Sequence, residues 1–153
     1  MPVVDLPDEA ATAAFAARIS ELAEVGDVIA LKGDLGCGKT SFARSFIRAR
    51  GGAEEVPSPT FTLVQIYELT PAAIWHFDLY RIKSSEEAWE LGIEDAFSEG
   101  ISLIEWPERL GPLLPGRRLE IEFLFGDRPD ERRALIDAGE SWRQRLAGIS
   151  ADA

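Results

Sequence analysis

Cysteine and histidine are almost absent: the chain has one of each, Cys37 and His76. A single cysteine excludes an intramolecular disulfide and a multi-cysteine metal site. A single histidine argues against a His-based zinc site. Long apolar runs are missing too, and none approaches the roughly 20 residues needed to cross a bilayer. The first residues, MPVVDLPDEAATAAF, carry acids where a secretory signal would carry positive charge. The expected location is therefore cytoplasmic, with no membrane partner. Positive charge is scarce, with 16 Lys and Arg against 27 Asp and Glu, a net charge of −11. Direct grip on DNA or RNA needs a basic footprint. The nearest thing, Arg44, Arg48 and Arg50, reads as the solvated face of one helix. The rest of the composition is ordinary for a soluble globular protein: 153 residues, 46% hydrophobic and 28% charged. That length suits a single domain with one core.

No repeat, low-complexity tract or long linker divides the chain. Residues 8 to 24 place Phe15, Ile19 and Leu22 at helical spacing, with Asp5 or Asp8 as the cap. Val28 to Leu31 reads as a buried strand, and Thr40 to Arg50 as a helix that Gly51 stops. Phe61 to Glu68 and Ile74 to Tyr80 read as a β-hairpin turning at Thr70 and Pro71. Ser84 opens a helix, and Ser84 with Glu87 matches a capping box. Ile101 to Ile104 is a short strand limited by Pro107. Leu119 to Phe125 alternates as a strand, and Arg133 to Asp137 is placed to pair with it across Gly126 to Asp130. Ser141 to Leu146 could form a last helix, and residues 150 to 153 read as a frayed tail. The fold expected is α/β, with one mixed parallel and antiparallel sheet flanked by helices.

Between the first buried strand and the helix after it lies Gly33-Asp34-Leu35-Gly36-Cys37-Gly38-Lys39-Thr40, which fits G-x-x-x-x-G-K-[ST]. Glycines let the backbone turn tightly and bring N–H groups to phosphate oxygens. The helix that follows points its positive end at the same anion. Lys39 supplies a mobile point charge for the β- and γ-phosphates, and the Thr40 hydroxyl can join the shell of Mg²⁺. A chance match in a chain of this size has odds under about 1%, which argues against a glycine-rich turn that binds nothing. Asp34, Leu35, Gly36, Cys37, Gly38, Lys39, Thr40 and Ser41 are the candidate nucleotide contacts. Cys37 reads either as a small side chain in a crowded loop or as a thiol activated by the helix terminus and Lys39.

Chemistry on a bound nucleotide also needs carboxylates near the metal and the attacking water. Glu105 ends the apolar run Ser102-Leu103-Ile104, and Asp78 ends Ile74-Trp75-His76-Phe77. Strand ends are where sheets of this class keep their chemistry. Either acid could instead be a solvated strand end, or, for Asp78, a partner of Arg81. Alternation puts His76 on the face of Asp78, where it reads as a structural hydrogen-bonding residue. Trp106 is either core or a wall beside the nucleotide. Ser58-Pro59-Thr60-Phe61-Thr62 fits a switch loop whose Thr60 or Thr62 senses the γ-phosphate or Mg²⁺, or an ordinary proline loop entering a strand.

Taken in order, GDLGCGKTSF at 33 to 42, SPTFTLV at 58 to 64, HFDLYRI at 76 to 82, ELGIEDAF at 91 to 97 and LIEWPERL at 103 to 110 resemble the bacterial TsaE (YjeE) ATPases. The ordered set covers most of the chain. The resemblance implies a single-domain P-loop NTPase with weak ATPase activity, with ATP and Mg²⁺ as cofactors. It also implies two partner proteins that assemble a threonylcarbamoyl transferase acting on adenosine 37 of tRNA, with tRNA held mainly by those partners. Family roles carry over onto Lys39 and Thr40 for phosphate and Mg²⁺. They carry over onto Asp78 and Glu105 for metal, water and hydrolysis, onto Thr60 or Thr62 as the switch hydroxyl, and onto Trp106 beside the acid. Cys37 departs from the alanine usual in the family's loop. No residue distinguishes adenine from guanine, and Gly111 onward carries no signature.

Two other functions share the same loop. A small-molecule kinase would need a lid, for which Arg117 and Arg118 or Arg132 and Arg133 are available, and it would leave a phosphorylated acceptor. A nucleotide-dependent interaction module would dock on partners with hydrolysis incidental. For an ATPase no arginine finger is identifiable beyond Arg81.

Overall fold

The computed structural model describes residues 3–52 and 63–150. The candidate switch segment with Thr60 and Thr62, and the tail beyond Ser150, lie outside the described residues. The elements run β1 (Val3–Leu6), α1 (Glu9–Leu22), β2 (Val28–Lys32), α2 (Lys39–Ala49), β3 (Val64–Tyr67), β4 (Ala73–Asp78), α3 (Ser85–Glu90), α4 (Ile93–Glu99) and β5 (Gly100–Glu105). A 3₁₀ stretch over Pro107–Leu113 leads to β6 (Leu119–Phe125), β7 (Arg132–Ala138) and α5 (Glu140–Ser150). Seven strands form one sheet in the order β1-β7-β6-β2-β5-β4-β3. The middle four are mutually parallel, and antiparallel pairs β3–β4, β6–β7 and β1–β7 complete the edges. The expected mixed sheet flanked by helices is what forms.

Each face of the sheet has its own core, because the central strands are buried on both sides. Ile29, Leu31, Leu103 and Ile121 pack on one face with Phe15 and Ile19 of α1 and with Phe42, Phe46 and Ile47 of α2. Trp142 and Leu146 of α5 close that core. On the other face Phe77 and Ile104 meet Ala88 of α3, Ile93 and Ala96 of α4, and Leu110. Among the described residues no helix is long and apolar enough to cross a membrane.

Local chemistry sets the boundaries. Asp8 caps α1, accepting from Ala11 N at 2.8 Å. Asp5 lies in β1 with Arg133 3.7 Å away. The helix α2 ends where the N–H groups of Gly51 and Gly52 bond the carbonyls of Arg48 and Ile47, a Schellman closure. Strand β4 stops at Asp78, short of the expected Tyr80, because the Asp78 carboxylate takes the Tyr80 N–H. The capping box does not form: Ser84 occupies the cap position without a side-chain bond, and the Glu87 carboxylate reaches past it to Lys83 N. The sequence reading missed β1, α4 and the 3₁₀ stretch, which are short segments with weak periodicity.

Candidate functional site

Strand β2 lies between β5 and β6, and β5 lies between β2 and β4. Their register aligns the ends, with Leu31 opposite Glu105 and Glu105 opposite Asp78. Whatever leaves those ends shares one cleft, as expected where parallel strands present their carboxyl ends. The loop after β2 rises from Leu31 and Lys32, crosses to β6 and returns as α2. Its first turn needs glycine: Gly33 has φ 136, and a Cβ there would sit 2.7 Å from the Phe123 carbonyl. Gly38, at φ 111, occupies the cap position of α2 without a side chain to cap it. The N–H groups of that first turn therefore remain for an anion.

A cleft of about 460 Å³ opens over this loop. It is lined by Leu35, Gly36, Cys37, Gly38, Lys39, Thr40 and Ser41, and by Asp78, Glu105 and Trp106 from the neighbouring strand ends. Every candidate contact except Asp34 is among them. Asp34 serves through its carbonyl, which accepts from Cys37 N and from Lys39 Nζ, both at 3.1 Å. Lys39 also donates to the Gly33 carbonyl, and its ammonium stands 3.8 Å from the centroid of the Trp106 ring. Only 4% of Lys39 is exposed. Burial pushes its ammonium below the ordinary lysine value, and the charge of Glu105 partly opposes that fall.

Glu105 connects the loop to the sheet. Its two carboxylate oxygens accept from the Thr40 hydroxyl at 2.9 and 3.1 Å, and Oε2 lies 2.6 Å from His76 Nε2. Trp106, at φ 61, turns the chain sharply after the acid, and its ring packs on Tyr80 at 4.9 Å. Of the two readings of Trp106, the structure shows parts of both: it lines the cleft and packs against the core beneath α3 and α4. The Cys37 thiol is 2% exposed and donates to the Phe123 carbonyl at 3.0 Å. Burial pushes the thiol up, outweighing the charges of Arg132 and Lys39. The structure thus favours the small, packed side chain over the activated nucleophile.

The sequence reading missed Glu9 and Thr12 of α1, Tyr80, and Pro129 and Asp130 of the β6–β7 turn, all of which line the cleft. Tyr80 lies within the HFDLYRI motif, but no local motif marks the others; the packing of α1 on α2 and the sheet order bring them to the cleft. Of the arginines considered, Arg81 and Arg132 line the cleft, and Arg132 lies 3.4 Å from the Gly36 carbonyl. Arg118 bonds Glu120 and the Pro115 carbonyl and does not line the cleft. Among the described residues no three His, Cys, Asp or Glu side chains converge into a metal cage. A divalent cation would rest on Thr40 and Glu105 and complete its shell from phosphate oxygens and water, which suits Mg²⁺.

A sequence model described as threonylcarbamoyl adenosine biosynthesis protein TsaE matches residues 6–134. The chain belongs to the TsaE family. Relatives named tRNA threonylcarbamoyladenosine biosynthesis protein TsaE include that of Rickettsia bellii, 40% identical over 84% of this chain and 88% of its own. The Bacillus subtilis relative of the same name is 38% identical, over 86% and 81% respectively. The crystal structure of Bacillus subtilis YdiB superposes with a TM-score of 0.81 at 29% identity, covering 99% of this chain and 95% of that one. The family match extends through β6 into β7, past Gly111, where the sequence offered no signature.

Proposed function

We propose that this chain is a Mg²⁺-dependent ATPase that supports threonylcarbamoyladenosine formation in tRNA. In this reading it works in the cytoplasm, driving the cycle of a transferase assembled from two partner proteins. The observation that carries the reading is the bond between the Thr40 hydroxyl and the Glu105 carboxylate, made in the same cleft that holds Lys39 and Asp78. It joins the phosphate loop to the acid-bearing strand end at the point where metal and γ-phosphate would meet.

In that mechanism the N–H groups at the start of α2 cradle the phosphates. Lys39 moves its ammonium from loop carbonyls to phosphate oxygens. Thr40 and Glu105 would hold a divalent cation, which would supply neutralisation of phosphate charge. Asp78, on the neighbouring strand end, orients the water. Water attacks the γ-phosphorus, the bond to the β-phosphate oxygen breaks, and ADP and phosphate leave. Lys39 and the loop N–H groups stabilise the charge that develops.

The test is steady-state phosphate release from MgATP, alone and with the two partner proteins and tRNA. Slow release that rises with partners and disappears in Lys39→Ala is the expected result. An unaltered rate in Lys39→Ala would overturn the site assignment. Release that ignores the partners would overturn the tRNA-modification role, and a phosphorylated acceptor in place of free phosphate would make the chain a kinase.

A further inference from the structure

His76 is fully buried, 0% exposed, in the middle of β4. On its sheet face Ile74 precedes it by two residues and Leu103 pairs with it from β5, while Gln65 pairs with it from β3 and Asp78 follows by two. Burying a polar ring has a cost that a hydrogen bond must offset. The ring does not line the cleft. Among the described residues, its side-chain hydrogen bond joins Nε2 to Glu105 Oε2 at 2.6 Å, and Nδ1 has no partner. An ionised carboxylate only accepts, so the ring donates from Nε2.

Glu105 is therefore held from two sides. Thr40 approaches from the phosphate loop, and His76 approaches from inside the sheet. The Thr40 hydroxyl belongs to the first turn of α2, which in this reading engages phosphate and metal, whereas His76 sits in β4, hydrogen-bonded to β3 on one side and β5 on the other. A carboxylate tied only to Thr40 would be free to change rotamer whenever the loop moved.

We infer that His76 is a positioning residue: it locks the Glu105 carboxylate in the orientation that Thr40 and a divalent cation require. This rests on the metal-assisted reading of the site given above. The role resembles that of outer partners that orient metal-binding side chains, whose removal costs about 10–100-fold in metal affinity or activity.

The test uses the full chain, with a fluorescent ATP analogue bound in Mg²⁺ and in EDTA, alongside phosphate release. His76→Leu is expected to lose about 10–100-fold in turnover and in the affinity gained from Mg²⁺. Binding in EDTA, which bypasses Glu105, is expected to stay unchanged. His76→Gln keeps an N–H donor and is expected to recover most of the loss. In a Glu105→Gln background, adding His76→Leu is expected to change nothing further. A wild-type Mg²⁺ response in His76→Leu overturns the inference alone. So does an equal, additive loss in the Glu105→Gln background, or a Gln variant as impaired as Leu. A wild-type chain with neither phosphate release nor any gain from Mg²⁺ overturns the nucleotide reading, and the inference falls with it.

Discussion

Lys39 is a cation enclosed by two backbone carbonyls and the face of an indole. Burial pushes its pKa down, so the unfolded chain binds its proton more tightly than the folded one does. Stability then rises with pH as the ammonium titrates between its folded value and the ordinary lysine value of 10.5. At neutral pH the buried charge works against folding. Lys39→Met is expected to unfold at an equal or higher urea concentration while losing about 10²–10³-fold in turnover. A lower urea midpoint would mean that the carbonyl bonds outweigh the desolvation. Cys37 has the opposite sign. Its raised pKa favours folding fully below the unfolded thiol range, near 9.0, and that support is lost as pH climbs above it. Cys37→Ala removes a buried bond to Phe123 and is expected to cost about 1–2 kcal/mol at pH 7. The difference in urea midpoint should narrow by pH 10, and the native thiol should react with iodoacetamide far more slowly than the urea-unfolded one. Rapid native alkylation would restore the activated-thiol reading.

At the scale of elements, α5 is tied down by an ion pair as well as by Trp142 and Leu146 in the core. Arg145 donates to both carboxylate oxygens of Asp27, at 2.7 and 3.1 Å, and to the Leu22 carbonyl. This pins the last helix to the end of α1 and the entry of β2. Removing one partner of a largely buried pair leaves the other charge uncompensated, so Arg145→Ala is expected to cost about 3–5 kcal/mol, read as a lower urea midpoint. A loss below 1 kcal/mol would show that Trp142 and Leu146 hold the helix unaided. The sequence revealed β2, α2 and the β3–β4 and β6–β7 hairpins because periodicity and turn chemistry are local. It could not reveal β1, whose four residues earn their place only by pairing with β7. The site divides along the same line. Lys39, Thr40, Asp78 and Glu105 announce themselves at strand ends and in a motif. Glu9, Thr12 and Asp130 reach the cleft only through the packing of α1 on α2 and the sheet order. The bond from His76 to Glu105 likewise depends on β4 and β5 being parallel neighbours, which no single segment encodes.

For the whole molecule, charge constrains partnership. A net charge of −11 opposes any approach to a polyanion. The one basic stretch is partly committed, since Arg50 bonds the Ser20 and Ala23 carbonyls at the end of α1. The cleft itself is acid-rimmed, with Glu9, Asp78, Glu105 and Asp130 facing Lys39, Arg81 and Arg132. In the nucleotide reading proposed above, phosphate would be held by short-range N–H groups of the loop and the start of α2, which do not attract nucleic acid from a distance. If the chain takes part in tRNA modification, the tRNA must be gripped elsewhere. The chain alone is therefore expected to bind tRNA no more tightly than the roughly 10⁻⁴–10⁻⁶ M of non-specific contacts at physiological salt. Fluorescence anisotropy of labelled tRNA across a salt series measures this directly. A tight complex with a steep salt slope would reveal a basic surface that the charge pattern does not predict. No detectable complex, alongside tRNA-dependent stimulation of phosphate release in the presence of the partners, would place tRNA recognition in those partners and leave this chain to supply the nucleotide step.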